Sequence, residues 1–231
     1  MIFTHPLRHS IVARFAFAAS AAIFSLASPA LRAAAPAAVT WSLARTDQLG
    51  GHTTTVLGSP KVVQEDGRTA VAFDGAHDGL ILPVNPLLGL TQFTIQLLIK
   101  PDSHGPAEQR FFHIQDAESN RCLLEIRLTP EGKWALDTFL FCGKSSLALL
   151  DPKLLHSADE WHWVTLHYDG KKMSSFVDGK PELSGDVAFT SVSSTGQTSI
   201  GVRLNQVFWF KGAIREVRIH PVALPFDQLA R

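Results

Sequence analysis

Two carboxylates face each other across a hairpin that the amino-acid order lays out. Cys122-Leu-Leu-Glu-Ile-Arg-Leu128 alternates, with Cys122, Leu124, Ile126 and Leu128 on one face. Thr129-Pro130-Glu131-Gly132-Lys133 then offers proline for the first central position of a type I turn and glycine for a left-handed bulge. This loop pairs Leu128 with Trp134, Ile126 with Leu136 and Leu124 with Thr138. Glu125 then sits directly opposite Asp137 on the face away from the core, with Arg127 two residues on. Opposed residues hold their first side-chain carbons about 4.5–5.5 Å apart, the scale on which paired carboxylates do glycoside chemistry. An unpaired acid couple also raises one pKa, as a general acid requires. The plainer reading, a solvated face on which Arg127 neutralises both acids, outweighs the catalytic one.

Other chemistries find less support. No Gly-x-Ser-x-Gly elbow and no Gly-x-x-x-x-Gly-Lys phosphate loop occurs. His162 and His167 point to opposite faces of one strand and cannot share an ion. His113 lies in an apolar strand and reads as a satisfied core histidine. Calcium is the one cofactor with candidate ligands, since Asp74 and Asp78 flank a glycine-containing turn and carry the oxygens it favours. Asp-Gly pairs make turns without any ion, which is the competing explanation. Sugar binding needs flat aromatic faces together with polar groups. Val207-Phe208-Trp209-Phe210 alternates so that Phe208 and Phe210 share one face and Trp209 takes the other, while Trp161 and Trp163 lie opposite Val164, Leu166 and Tyr168. Trp209 and Trp163 are the candidates for display.

Cys122 and Cys142 fall on one face of the hairpin, but as diagonal neighbours about 7 Å apart, beyond unstrained disulfide reach. A bulge would close that gap, so a bridge and two free thiols both remain open. No cysteine–histidine zinc spacing is present.

The elements carrying these residues are short strands between turn signals. Phe93 to Lys100 alternates and ends at Pro101; Trp161 to Tyr168 turns at Asp169-Gly170 into Met173 to Val177. Thr198 to Val202 and Phe208 to Ile219 close the series, and Leu224 to Ala230 hints at one helical turn. Strands at this spacing predict an all-β sandwich or jelly roll. The 231 residues are 45% hydrophobic and 18% charged, with 21 basic against 21 acidic side chains, which excludes global disorder. The neutral balance gives no reason to expect nucleic acid as a partner. Arg8 and Arg14 precede an apolar run from Phe15 to Ala27, too short to span a bilayer and suited to a signal peptide. Residues 1–35 are therefore expected to be a signal peptide and spacer, with the mature chain beginning between Ser28 and Ala37. No transmembrane segment follows. The mature chain carries 18 basic and 21 acidic residues, a formal charge of −3.

Four motifs in order carry a resemblance. Ala72-Phe73-Asp74-Gly75 with Asp78-Gly79 and then Phe93 to Pro101 comes first. Trp161 to Gly170 with Phe176-Val177-Asp178-Gly179 follows, and Ser199-Ile200-Gly201, Phe210-Lys211-Gly212 and Ile214 to Ile219 with Leu224 close it. Residues 36–231 thus resemble a single laminin G-like domain. That implies a concanavalin A-like jelly roll of two packed antiparallel sheets, used in the family for glycan binding, protein binding or as an accessory to enzymes. Two positions depart from it. Arg215 stands where the family commonly has aspartate, setting a cation at the place of an acid, and Leu98 stands where tryptophan is usual. Concanavalin A-like hydrolases carry Glu-x-Asp-x-x-Glu or a close variant on one strand, and this chain has no such run. The expectation is a secreted or periplasmic, non-catalytic module that recognises a glycan or an extracellular protein. The alternatives are a glycoside hydrolase or polysaccharide lyase using Glu125, Asp137 and Arg127, and a structural assembly domain.

Overall fold

The computed structural model describes residues 1–2, 37–191 and 193–231. The expected signal peptide and its cleavage point lie outside the described residues. The strands are β1 (Val39–Ser42), β2 (Gln48–Leu49), β3 (His52–Thr53), β4 (Thr55–Leu57), β5 (Lys61–Glu65), β6 (Arg68–Asp74), β7 (Gly79–Leu82), β8 (Phe93–Pro101) and β9 (Glu108–Asp116). They continue with β10 (Arg121–Leu128), β11 (Lys133–Cys142), β12 (Ser145–Leu150), β13 (His156–Ser157), β14 (His162–Tyr168), β15 (Lys172–Val177), β16 (Lys180–Asp186), β17 (Gly196–Ile200) and β18 (Lys211–His220). Only a 3₁₀ turn at Phe226–Gln228 interrupts the β structure among the described residues.

Among the described residues sixteen of the eighteen strands form two eight-stranded antiparallel sheets, and β2 and β3 pair as a short two-stranded one. The first runs β16-β15-β14-β8-β18-β6-β5 with β1 beside β18; the second runs β12-β11-β10-β9-β17-β7-β4 with β13 beside β11. Each is apolar on one face, and the two apolar faces meet. Ile95, Leu97, Val164, Leu166 and Val217 from the first sheet bury against Leu124, Ile126, Trp134 and Leu136 from the second. The period-two patterning fixes this, since one face of every strand must leave water. The jelly roll expected from the strand pattern is the architecture found. Among the described residues no helix is long and apolar enough to cross a membrane.

The hairpin register matches expectation, with Leu128 opposite Trp134, Ile126 opposite Leu136 and Glu125 opposite Asp137. Its loop closes as the residue types require: Gly132 has φ +72° and Thr129 N–H donates to Lys133 O at 2.7 Å. Two expectations need correction. The last strand begins at Lys211 rather than Phe208, because Gln206 and Phe208 adopt left-handed φ of 59° and 60° and cannot continue a ladder. Phe208 and Phe210 therefore do not share a face. Phe210 is fully buried against Phe73 and Phe111, and Phe208 is exposed. The cysteines are free. Cys122 points into the core opposite Leu140, where burial pushes its thiol up, and Cys142 at the strand end reaches Thr190 O at 3.4 Å.

Candidate functional site

The outer face of the second sheet gathers most of the chemistry. A β-bulge between Leu124 and Glu125 shifts the pairing of β10 with β9, so that Leu124 meets Phe112 while Glu125 meets Arg110. The extra residue, Phe111, is buried in the core with Phe112, and Arg110 swings to the outer face beside Glu125. Strict alternation would have sent Arg110 inward. This is how a third strand enters the carboxylate pair.

The result is a network of three acids and two guanidiniums. Arg127 lies 2.6 Å from Asp137, 3.2 Å from Glu125 and 3.0 Å from Glu108; Arg110 lies 2.9 Å from Glu108. Arg110 Nε sits 2.8 Å from Glu125 Oε2, an ion pair whose N–H is not aimed well enough for a hydrogen bond. Glu125 and Asp137 are buried. Burial pushes the Glu125 carboxyl up, Arg110 and Arg127 hold it down, and Asp137 adds a further push up. Burial likewise raises Asp137 against the pull of Arg127 and Arg110. The acids are opposed as expected, and every one of them has a cation.

Along the same face the polarity changes. Phe139 and Phe141, two residues apart on β11, are half-buried and share the outer face with Asp137. The Arg121 guanidinium carbon stacks 4.5 Å from the Phe141 ring centroid and 5.6 Å from that of Phe139. A cavity of about 220 Å³ is lined by Arg110, Arg121, Glu125, Phe139 and Arg203 among others. A second, of about 580 Å³, is lined by His113, Gln115, Asp116, Gln197, Arg203 and Leu204 among others. Arg203 borders both, which makes them two basins of one groove.

Arg203, Leu204 and Asn205, at the start of the segment 203–210, wall this groove. Gly201 precedes the segment at φ +81°, where a Cβ would lie 2.3 Å from the Phe73 ring, so glycine is required for the turn. Arg203 O accepts from Gln206 N–H at 2.8 Å, and the carbonyl of left-handed Phe208 accepts from Arg110 N–H, also at 2.8 Å. The Phe208 ring then lies 3.7 Å over the Arg110 guanidinium. A bulky aromatic at positive φ is strained, and the stacking and the hydrogen bond hold it there. His113 is buried beneath this segment rather than in the sandwich core, and its Nδ1 accepts from Leu204 N–H at 3.1 Å. Its Nε2 is buried without a partner, so the ring is only half satisfied.

The remaining sequence candidates lie elsewhere. Trp163 is half-buried on the outer face of the first sheet, with the Arg218 guanidinium 4.4 Å from its ring. Trp209 is half-buried in the 203–210 segment. Asp74 Oδ1 accepts from the backbone N–H groups of Ala76, His77 and Asp78, and Asp78 Oδ1 accepts from Ser59 N–H at 2.7 Å. Burial raises the Asp74 carboxyl, and those three amides outweigh it to bring it down to about 2. Each acid spends its Oδ1 on backbone amides, and no cluster of three metal-ligating side chains exists among the described residues. Arg215, the departure from the family pattern, is buried with its guanidinium 4.1 Å over Trp161 and one N–H donated to Glu65 O. His162 contacts Asp178 Oδ2 at 2.8 Å, and His167 packs under Phe226 on the other side of the strand.

Residue pattern alone did not pick out Arg110, Arg203, Phe139 or Phe141 as site residues. A signal for the two phenylalanines was present, because the register that places Asp137 outward places residues 139 and 141 outward too.

A two-sheet jelly roll with a polar groove on one outer face defines a lectin-like class of fold. The chain belongs to the concanavalin A-like lectin/glucanases superfamily, whose laminin G-type family model matches residues 74–230. Among solved structures it resembles the botulinum neurotoxin serotype D binding domain, at 13% identity and a TM-score of 0.59 over 82% of this chain. The chain spans about half of that domain, 49% of its length. It also resembles domain 4 of AbnA, a GH43 extracellular arabinanase from Geobacillus stearothermophilus solved with arabinotriose, at 20% identity and a TM-score of 0.55, covering 82% of this chain and 94% of that one. A SAP-like pentraxin from Limulus polyphemus matches at 16% identity and a TM-score of 0.55 over 69% and 78% of the two chains. No curated protein matches in sequence.

Proposed function

We propose that this chain is an exported binding module that holds a glycan in the groove between β9–β11 and the 203–210 segment. The observation that carries this is the Phe139/Phe141 pair, half-exposed on one strand face beside a cavity lined by amide and guanidinium donors. Aromatic faces cover the apolar C–H surface of a sugar ring, and fixed polar groups orient its hydroxyls. The likeness to an arabinanase domain solved with arabinotriose supports the same reading. Export follows from the signal-like residues 1–35, with the mature chain beginning between Ser28 and Ala37; intact mass of the exported protein tests it, and retention of Met1 contradicts it.

The experiment is a glycan array with the mature chain, followed by titration of the tightest ligand against variants. Phe139→Ala is expected to weaken binding by about 1–3 kcal/mol, the scale of one lost aromatic anchor. Trp209→Ala tests the 203–210 segment. Trp163→Ala, on the other sheet, is expected to leave affinity unchanged. A chelator is expected to change nothing, because Asp74 and Asp78 line neither basin of the groove. Loss of binding in Trp163→Ala with none in Phe139→Ala would move the site to the first sheet.

One observation favours a second reading, a hydrolase or lyase: burial raises both Glu125 and Asp137 within the groove. That enzyme requires the parent to shorten or unsaturate a bound glycan and Glu125→Gln to abolish product while still binding. Full pairing of both acids with Arg110 and Arg127 leaves neither free to shuttle protons, so binding without product is the expected outcome.

A further inference from the structure

Charge is distributed unevenly along the groove. Arg110 and Arg127 are neutralised by Glu108, Glu125 and Asp137. Arg121 and Arg203, which line the neighbouring basins, have no carboxylate ion pair among the described residues, and Arg121 Nε is buried without a hydrogen-bond partner. The acid that lines the larger basin, Asp116, is already saturated. Its Oδ1 accepts from Glu118 and Asn120 N–H, and its Oδ2 from Asn120 Nδ2 and Ser191 Oγ. His113 Nε2 is a second buried atom here without a hydrogen-bond partner. Leu204 N–H occupies Nδ1, so the neutral ring carries its proton on the buried, unpartnered Nε2.

We infer that the groove selects an anionic glycan, with a sugar carboxylate or sulfate ester held between Arg121 and Arg203. This rests on the glycan-binding reading above and narrows its ligand. Two like-charged guanidiniums gathered at one cavity repel each other, and an anion between them converts that repulsion into charge-assisted hydrogen bonds. Their charges act on their neighbours: burial lowers the Arg121 pKa and Arg203 lowers it further, while burial, Arg203 and Arg121 together bring His113 down to about 3. The histidine therefore stays a neutral donor, and the two arginines supply the charge. The selectivity is local, because the mature chain has a formal charge of −3 and would repel a polyanion from most of its surface.

The test measures affinity of the mature chain for polygalacturonate, its methyl-esterified form, dextran sulfate and dextran, alongside the array's tightest neutral glycan. The expected result is binding to polygalacturonate or dextran sulfate at least tenfold tighter than to the neutral counterpart, and weakening as salt rises. Preference between the first and third polymers assigns carboxylate or sulfate. Arg203→Gln is expected to remove at least tenfold of that affinity, and Arg203→Lys to retain part of it. Arg68→Gln, an exposed arginine of the first sheet, is expected to change nothing. Equal affinity for charged and neutral polymers, or equal losses in Arg203→Gln and Arg68→Gln, would overturn the inference. Binding to a neutral glycan that depends on Phe139 but not on Arg203 would sink this inference alone. Binding to no glycan at all would sink the underlying reading with it.

Discussion

His113 shows what a single residue contributes when its environment rather than its type decides its role. Alternation alone gave an apolar strand position and suggested a core histidine; the fold buries it instead under residues 203–210, between two arginines. Its pKa falls from 6.5 to about 3, first through burial and then through Arg203 and Arg121. Between those values the unfolded chain binds a proton that the folded chain does not. The histidine's contribution to stability is therefore full above about 6.5 and is lost as pH falls towards 3, at up to about 1.4 kcal/mol per pH unit. Urea unfolding across that window should show a steeper loss on acidification in the parent than in His113→Gln, which keeps an acceptor for Leu204. Equal slopes would show that His113 titrates normally. Glu125 and Asp137, raised by burial, push the other way and are common to both proteins, so the difference isolates the histidine.

At the scale of elements, the hairpin was legible and the segment after β17 was not. Leu128, Pro130, Gly132 and Trp134 fix the β10–β11 register through turn chemistry and period-two burial, both local properties. Arg110 was hidden because a bulge depends on how three strands pack, and no residue type in Gln109-Arg110-Phe111-Phe112 announces it. Phe208 misled for a related reason. Its aromatic run has strand-like composition, while the left-handed backbone is stabilised by Arg110, ninety-eight positions away in sequence. Gly201 holds the start of that segment. Gly201→Ala would set a Cβ 2.3 Å from the Phe73 ring at φ +81°, and is expected to cost about 1–3 kcal/mol of stability by denaturant unfolding. The same variant should weaken glycan binding, because Arg203 and Phe208 ride on the segment it anchors. Unchanged unfolding would contradict the requirement for glycine.

Across the whole molecule, two apolar sheet faces form the core and leave two outer faces to solvent. The fold class was readable because alternation and turn signals recur along nearly all of residues 39–229, and the family pattern runs in the same order. The location of the site was not. Both outer faces carry aromatics, and the choice between Trp163 and the Phe139/Phe141 pair depends on which face gathers unmet donors, a property of several strands at once. Hydrogen–deuterium exchange on the mature chain, with and without a saturating oligosaccharide taken from the array, tests the central claim most directly. Protection confined to β9, β10, β11 and residues 195–208 is the predicted result. Protection confined to β14, β15 and β18, with the second sheet unchanged, would contradict it.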